Sequence, residues 1–168
     1  SLLLVVLGLG VFGAVVVMGA WFRACAVPGA CPSIAGLTSY DPMQASKVYA
    51  ADGRQITDFG LERRTVLSLE QMAPSLPAAF LAVEDKRFYD HGGVDWLRSI
   101  GAIKAKLTNP GSRLQGFSTI TMQLAGNMWP DEIDRSERRG LRGVMRKMRE
   151  IKVARQIEER YSKKTILE

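Results

Sequence analysis

The chain predicts a mainly α-helical domain with one small β-hairpin on its N-terminal side, preceded by a single membrane-spanning helix. Three observations lead there. Residues 1–22 carry no charged side chain. Asp52-Gly53 separates two short runs that read as extended. From about residue 68 onward, apolar residues recur every three or four positions between Pro and Gly stops. With 168 residues, 46% of them hydrophobic, there is enough chain for an anchor and one domain with a real core.

The first element is the uncharged run 1–22, mostly Leu, Val, Gly, Ala, Phe and Met. A helix of that length spans a hydrocarbon core of about 30 Å. Trp21 and Arg23 follow as an interfacial aromatic and a cation at headgroup depth. Ala24-Cys25-Ala26 resembles a signal-peptide cleavage site, but the run is longer than an h-region of ~7–15 residues, so an uncleaved anchor is expected. Gly8-Leu9-Gly10-Val11-Phe12-Gly13 is a literal G-x-G-x-x-G. No acidic residue stands about 20 positions on, and the apolar run passes through it unbroken, so it is discarded as a nucleotide motif.

Residues 23–44 read as a linker rich in Pro, Gly, Ser and Ala. Cys25 and Cys31 lie in it around a Pro-Gly turn; a closed loop and two free thiols are both open at this point. The domain is expected to run over 45–168. It begins with a hairpin over 46–59, signalled by Asp52-Gly53. Ser68 and Gln71 form a capping box for a short helix that ends before Pro74. Pro77 opens a helix to about Asp90, stopped by His91-Gly92-Gly93. A third helix covers 95–107, followed by a turn at Asn109-Pro110-Gly111. Ser118 is placed to cap a helix through about Met128, and Pro130 breaks the chain. The last long helix covers about 136–161, with Leu141, Val144, Met145, Met148, Ile151, Ala154, Ile157 and Tyr161 as its apolar positions.

The net charge of +6 is unevenly placed. Residues 135–164 hold twelve Arg/Lys against four Glu, a net of +8, which leaves −2 for everything else. The basicity belongs to one segment and asks for an anionic partner there, not for a generally cationic protein.

Three constellations carry chemistry. In Glu84-Asp85-Lys86-Arg87-Phe88-Tyr89-Asp90-His91-Gly92-Gly93, the first Glu ends an apolar run, and helical spacing puts Glu84, Phe88 and His91 on one face. A carboxylate in such a place is suited to accept a proton, although the same spacing equally fits a solvated Glu on an amphipathic helix. In Gly116-Phe117-Ser118-Thr119-Ile120-Thr121-Met122-Gln123, the Gly lets backbone approach a ligand. Ser118 and Thr119 sit where free N–H groups and the helix dipole attract anions, although an ordinary capped helix start has the same pattern. In Arg146-Lys147-Met148-Arg149-Glu150, Arg146 and Glu150 can pair four residues apart, and the cations suit a phosphate or pyrophosphate. A solvated face, an anionic lipid surface or a nucleic-acid stripe would share this last pattern.

The order of these motifs is more specific than any one of them. Glu-Asp-x-x-Phe-x-x-His-x-Gly, then Gly-x-Ser-Thr-Ile-Thr-x-Gln, then Arg-Lys-x-x-Glu, then Lys-x-x-Ile-Leu-Glu from Lys163 to Glu168 resembles the peptidoglycan glycosyltransferase module of class A penicillin-binding proteins and monofunctional transglycosylases. The resemblance covers roughly residues 45–168. The last motif stops before its expected continuation, and the chain is expected to be a fragment of the module.

The resemblance implies a lysozyme-like helical fold that polymerises lipid II into glycan strands with inversion, releasing undecaprenyl pyrophosphate. It implies Glu84 as the base for the acceptor 4-hydroxyl, and Glu150 as the second carboxylate that orients the site. Arg146 and Lys147 would neutralise the departing diphosphate, while Ser118, Thr119 and Gln123 would line the donor site. Asp85, Phe88 and His91 would shape the surroundings of the base. Its implied partners are lipid II, the growing strand, membrane lipid through residues 1–22 and the basic helix, and other cell-wall synthesis proteins, with no nucleic acid. The implied place is the bacterial cytoplasmic membrane, single-pass, with the domain outside. It fixes no cofactor with certainty; a divalent cation (Mg or Mn) could accompany the diphosphate, but no ligand cluster of the kind a metal cage needs is visible.

Two positions depart from the family pattern. Met122 replaces the first Gln of Thr-Gln-Gln, while Gln123 keeps the second. Gly126 stands where the family usually has Lys or Arg. That loss either weakens activity or is made good by a neighbouring arginine, and Gly126→Arg is expected to preserve or raise activity. The competing readings are a lysozyme-like peptidoglycan hydrolase and a non-enzymatic anchored protein with a lipid-binding basic helix. Neither accounts for the whole motif series.

Overall fold

The computed structural model describes residues 2–26, 28–39, 44–60, 65–109, 116–136 and 140–168. The turn expected at Pro110-Gly111 and the expected first residues of the basic helix, 137–139, lie outside them. The fold is mainly helical, with a single two-stranded sheet among the described residues.

Helix α1 runs over Leu2–Arg23, about 33 Å of helix. Its described apolar side chains as far as Met18, Leu7 and Phe12 among them, are exposed. Among the described residues no helix is long and apolar enough to cross a membrane; the side chains of Leu2, Leu3, Val5, Val6 and Leu9 fall outside that description. The C-terminal end of α1 is docked. Trp21 packs against Val94, Met122, Ile151 and Ala154, and Lys152 Nζ lies 5.1 Å above its ring.

Cys25 and Cys31 are joined in a disulfide. The segment read as a linker is partly built into the domain: Cys31, Ile34 and Leu37 pack on the core, and Tyr161 donates its hydroxyl to Ile34 O at 3.0 Å. Composition showed its turns but not these apolar contacts, which recur every three residues and so follow the repeat of the short 3-10 helix Ile34–Ser39, not that of an α-helix.

Strands β1 (Ser46–Tyr49) and β2 (Gln55–Phe59) pair antiparallel, with a register irregularity between Val48 and Tyr49. The turn is the expected one, with Gly53 at φ 84° and Arg54 N donating to Asp52 Oδ1 at 2.9 Å. The Ser68/Gln71 capping box is present on a single 3-10 turn, Leu69–Gln71.

The next helix is shorter than predicted. Helix α2 spans Ser75–Glu84, and Asp85 leaves it at φ −154°, ψ 73°. A separate 3-10 turn, Phe88–Asp90, follows. Glu84, Phe88 and His91 therefore do not share a helical face. Asp85 is drawn away by bonds to distant groups, which local propensity cannot register.

Helix α3 (Trp96–Thr108) is capped by Asp95, whose Oδ1 accepts from Arg98 N at 2.8 Å. Helix α4 (Ile120–Met128) is capped by Thr119, not by Ser118. Helix α5 (Gly140–Arg160) crosses α4, and α6 (Lys163–Leu167), capped by Ser162, closes the chain. The core joins Phe88, Ile120, Ala125, Ile133, Val153, Ile157 and Ile166. The apolar stripe of α5 does not face it throughout. Ile151, Ala154 and Ile157 are buried, together with Val153, which lay outside the predicted stripe. Leu141 and Val144 are exposed, because the first half of α5 forms one wall of a cleft.

Gly93 sets how closely these parts approach. Its φ is 86°, and a Cβ there would lie 2.8 Å from Ala154 O, backbone of α5. Only Gly meets both demands.

Candidate active site

Two clusters of site residues meet around the start of α4. The first centres on Glu84, the last residue of α2. Its carbonyl accepts from Arg98 Nη1 at 2.7 Å, tying the helix end to α3. Its side chain is half-buried, and Oε2 accepts from Gln123 Nε2 of α4 at 2.7 Å. The glutamine retained in the second motif thus touches the glutamate of the first, 39 residues away.

Asp85 is 1% exposed and works inward. Its Oδ2 accepts from Ile120 N at 3.0 Å, and both its oxygens lie 3.0 Å from His91 Nε2. The free N–H at the start of α4 therefore already holds an anion, and that anion is Asp85. This corrects the expectation that this N–H would serve a ligand. His91 Nδ1 is buried without a hydrogen-bond partner among the described residues. Arg87 bridges the same segment to Asp95, with Nε 3.0 Å from Oδ2. Burial pushes the Asp95 carboxyl up, but the bonds from Arg87 and Arg98 N and the charges of Arg87 and His91 hold it below the ordinary aspartate value.

Phe88 and Thr119 are also internal, at 1% and 0% exposure. Phe88 lies in the core, with Lys163 Nζ 4.2 Å above its ring. Thr119 donates its hydroxyl to Gly93 O at 2.6 Å and accepts from Met122 N at 3.2 Å. Thr119 was expected to line the donor site, and Asp85, Phe88 and His91 to shape the surroundings of the base; with their side chains buried and engaged in this way, the four hold the frame on which Glu84 and Gln123 are mounted.

The second cluster surrounds Glu150 of α5, itself 1% exposed. Arg146 Nη1 bonds its Oε1, Arg135 Nε lies 3.6 Å from the same oxygen, and Lys147 Nζ donates to Oε2 at 2.9 Å. Lys147 also donates to Ser118 Oγ at 2.8 Å and sits 4.7 Å from the Phe117 ring centre. This explains the shifted cap: the Ser118 hydroxyl is taken by Lys147, and Thr119 caps instead. Burial pushes the Lys147 ammonium below the usual lysine value, against the pull of Glu150, while Arg146 and Arg135 add like-charge repulsion.

Three cations around one carboxylate leave a surplus of positive charge. They line a cleft of about 1060 Å³ together with Phe117, Ser118 and the first half of α5. Such a cleft suits a polyanion. Arg149 of the same motif turns elsewhere, donating from Nε to Ala24 O at 3.1 Å and from Nη1 to Glu132 O at 3.3 Å, and so fastens the end of α1 to α5.

Arg98 and Arg135 were not among the predicted site residues. The only local hint of Arg135 was a Gly inside a helical pattern, at Gly126. Among the described residues, no group of three or more His, Cys, Asp or Glu side chains is placed to hold a metal ion.

Comparison with known proteins agrees with the motif order. The model of the family described as Transglycosylase matches residues 52–168. The chain is similar to penicillin-binding protein 1A of Vibrio cholerae, 37% identical over 158 residues, which is 94% of this chain and 18% of that protein. It is likewise similar to penicillin-binding protein 1A of Escherichia coli (37% identical; 82% of this chain, 15% of that protein) and of Haemophilus influenzae (40% identical; 74% of this chain, 14% of that protein). The chain thus spans less than a fifth of the length of these relatives. With its motifs in order and their side chains gathered around α4, the chain belongs to the transglycosylase family.

Proposed function

We propose that the chain is the glycosyltransferase part of a peptidoglycan polymerase, joining lipid II units into glycan strands. The observation that carries this reading is the pairing of a hydrogen-bonded, half-buried glutamate, Glu84, with a cationic cleft on the other side of the start of α4. Glu84 accepts the proton of the acceptor 4-hydroxyl, its free oxygen positioned by the bond from Gln123 to the other. The acceptor oxygen bonds to the donor anomeric carbon as the bond from that carbon to the diphosphate oxygen breaks, inverting the centre. The electron pair leaves with the diphosphate, which Arg146, Lys147 and Arg135 stabilise. Glu150 is a positioning residue: with both oxygens engaged, it holds three mutually repelling cations together.

The cleft does not fit a protein-held Mg or Mn ion. Glu150 is the one carboxylate among its described lining residues, and cations already occupy both oxygens. A hydrolase has no use for such a cationic cleft, which favours transfer with a diphosphate leaving group.

We further propose that α1 is a single-pass anchor in the bacterial cytoplasmic membrane with the domain outside. Its sequence, uncharged through Phe22, and its exposed apolar side chains support this, as does a disulfide just beyond it, a bond of oxidising compartments. An anchor holds the enzyme at the surface where a polyprenyl substrate lies. On α5, the exposed Arg142 and Arg160, five turns apart on one side of the helix, are what faces anionic lipid, because Arg146, Lys147 and Arg149 point inward.

The test is incubation of labelled lipid II with the full-length protein. Glycan polymer with release of polyprenyl diphosphate is expected. Cleavage of finished peptidoglycan without polymerisation would overturn the reading in favour of a hydrolase.

A further inference from the structure

Gly126 is the seventh residue of the nine-residue helix α4 and is buried. Glycine inside a helix is a poor choice, and here no left-handed backbone conformation requires it, since Gly126 is not among the glycines of positive φ. What stands where its side chain would be is a single neighbour. A Cβ on Gly126 would lie 2.7 Å from Arg135 Nε, 2.9 Å from its Cδ and 3.3 Å from its Cζ. From that crossing point Arg135 Nη1 donates to Asn127 Oδ1 at 2.9 Å, while Nε faces Glu150 Oε1 at 3.6 Å.

We propose that Gly126 is a seat for Arg135: the bare backbone of α4 lets a cation from the α4–α5 connection lie across the helix and reach the Glu150 cluster. This rests on the reading of that cleft as a diphosphate site. Arg135 is then a positioning and binding residue whose placement depends on the absence of a side chain elsewhere. Any side chain at 126 pushes the guanidinium off α4. A small one leaves the cleft a cation short, whereas a long cationic one displaces Arg135 and puts its own charge in the vacated space.

Inorganic pyrophosphate is the probe, titrated calorimetrically into the full-length protein and its variants, with thermal melts showing that each is folded. Arg135→Ala is expected to weaken binding by about 5–10-fold, the loss of one partly exposed charge-assisted contact. Gly126→Ala removes no charge, yet is expected to weaken it by a similar factor. The two together should cost little more than either alone, because both remove the same contact. Adding Gly126→Arg to Arg135→Ala should bring binding back to within about 3-fold of wild type. Wild-type binding by Gly126→Ala, or losses that multiply in the double variant, would overturn the seat.

A second readout needs no ligand. Arg135 contributes to the repulsion that lowers the Lys147 ammonium, so expelling it by Gly126→Ala should raise the Lys147 titration as followed by NMR, with Glu150, Arg146 and Ser118 unchanged around it. An unmoved Lys147 overturns the seat. A moved Lys147 in a protein that binds no pyrophosphate supports the seat and overturns the diphosphate reading.

Discussion

Asp85 should be the most expensive side chain to remove in the predicted site, because it is buried and its bonds run inward. Its carboxylate takes the first amide of α4 and His91 Nε2, and it is fully buried. Asp85→Ala leaves both donors facing apolar neighbours. Each buried hydrogen bond to a charged group contributes about 1.5–3 kcal/mol, and stripping one partner from a buried pair costs about 3–5 kcal/mol. The second figure describes the case better, because Ile120 N lies in the core and cannot reach water without opening it around Phe88 and Ile120. In a domain of this size each kcal/mol moves Tm by about 2–4 °C, so a fall of roughly 6–20 °C is expected. Asp85→Asn keeps one acceptor and should lose about half as much. Urea and thermal unfolding followed by circular dichroism measure both. A Tm within about 2 °C of wild type for Asp85→Ala would refute the reasoning, since α4 would then not depend on this carboxylate.

Two other predictions concern the frame. Gly93→Ala must strain a backbone of positive φ and push into Ala154 O; a loss of about 2–4 kcal/mol is expected in urea titration, with no smaller effect from Ser at the same place. Asp95 gives a pH signature. Its folded carboxyl lies below the ordinary value, so its contribution is fully present above the unfolded value of about 4 and disappears as pH falls through the lower folded one. Asp95→Asn should therefore flatten the part of the stability profile that falls below about pH 4, read as Tm against pH; an unchanged acid limb would contradict the assignment.

The parts of the fold that short-range codes specify were legible. Asp52-Gly53 and Ser68/Gln71 act within a few residues, and both formed as expected. The errors are all long-range. The predicted helix through Asp90 ended at Glu84 because Asp85 serves an amide 35 residues away. Ser118 yielded the cap to Thr119 because Lys147, 29 residues on, claimed its hydroxyl. The stripe on α5 was periodic throughout, but periodicity does not say whether an apolar side chain faces a core or a cleft. Motif order found Glu84, Gln123, Arg146, Lys147 and Glu150, which the fold gathers around the start of α4. Arg135 was invisible to it, because its role depends on a side chain that α4 lacks.

The proposed glycosyl transfer depends on Glu84 removing the proton of the acceptor hydroxyl. Steady-state polymerisation of labelled lipid II by the full-length protein and by Glu84→Gln tests it most directly, since the amide keeps the shape and an acceptor for Gln123 but cannot take the proton. Glu84→Gln is expected to lower kcat by about 10²–10⁴-fold, with KM within about 3-fold and Tm near wild type. A Glu84→Gln protein that polymerises lipid II at the wild-type kcat would contradict it.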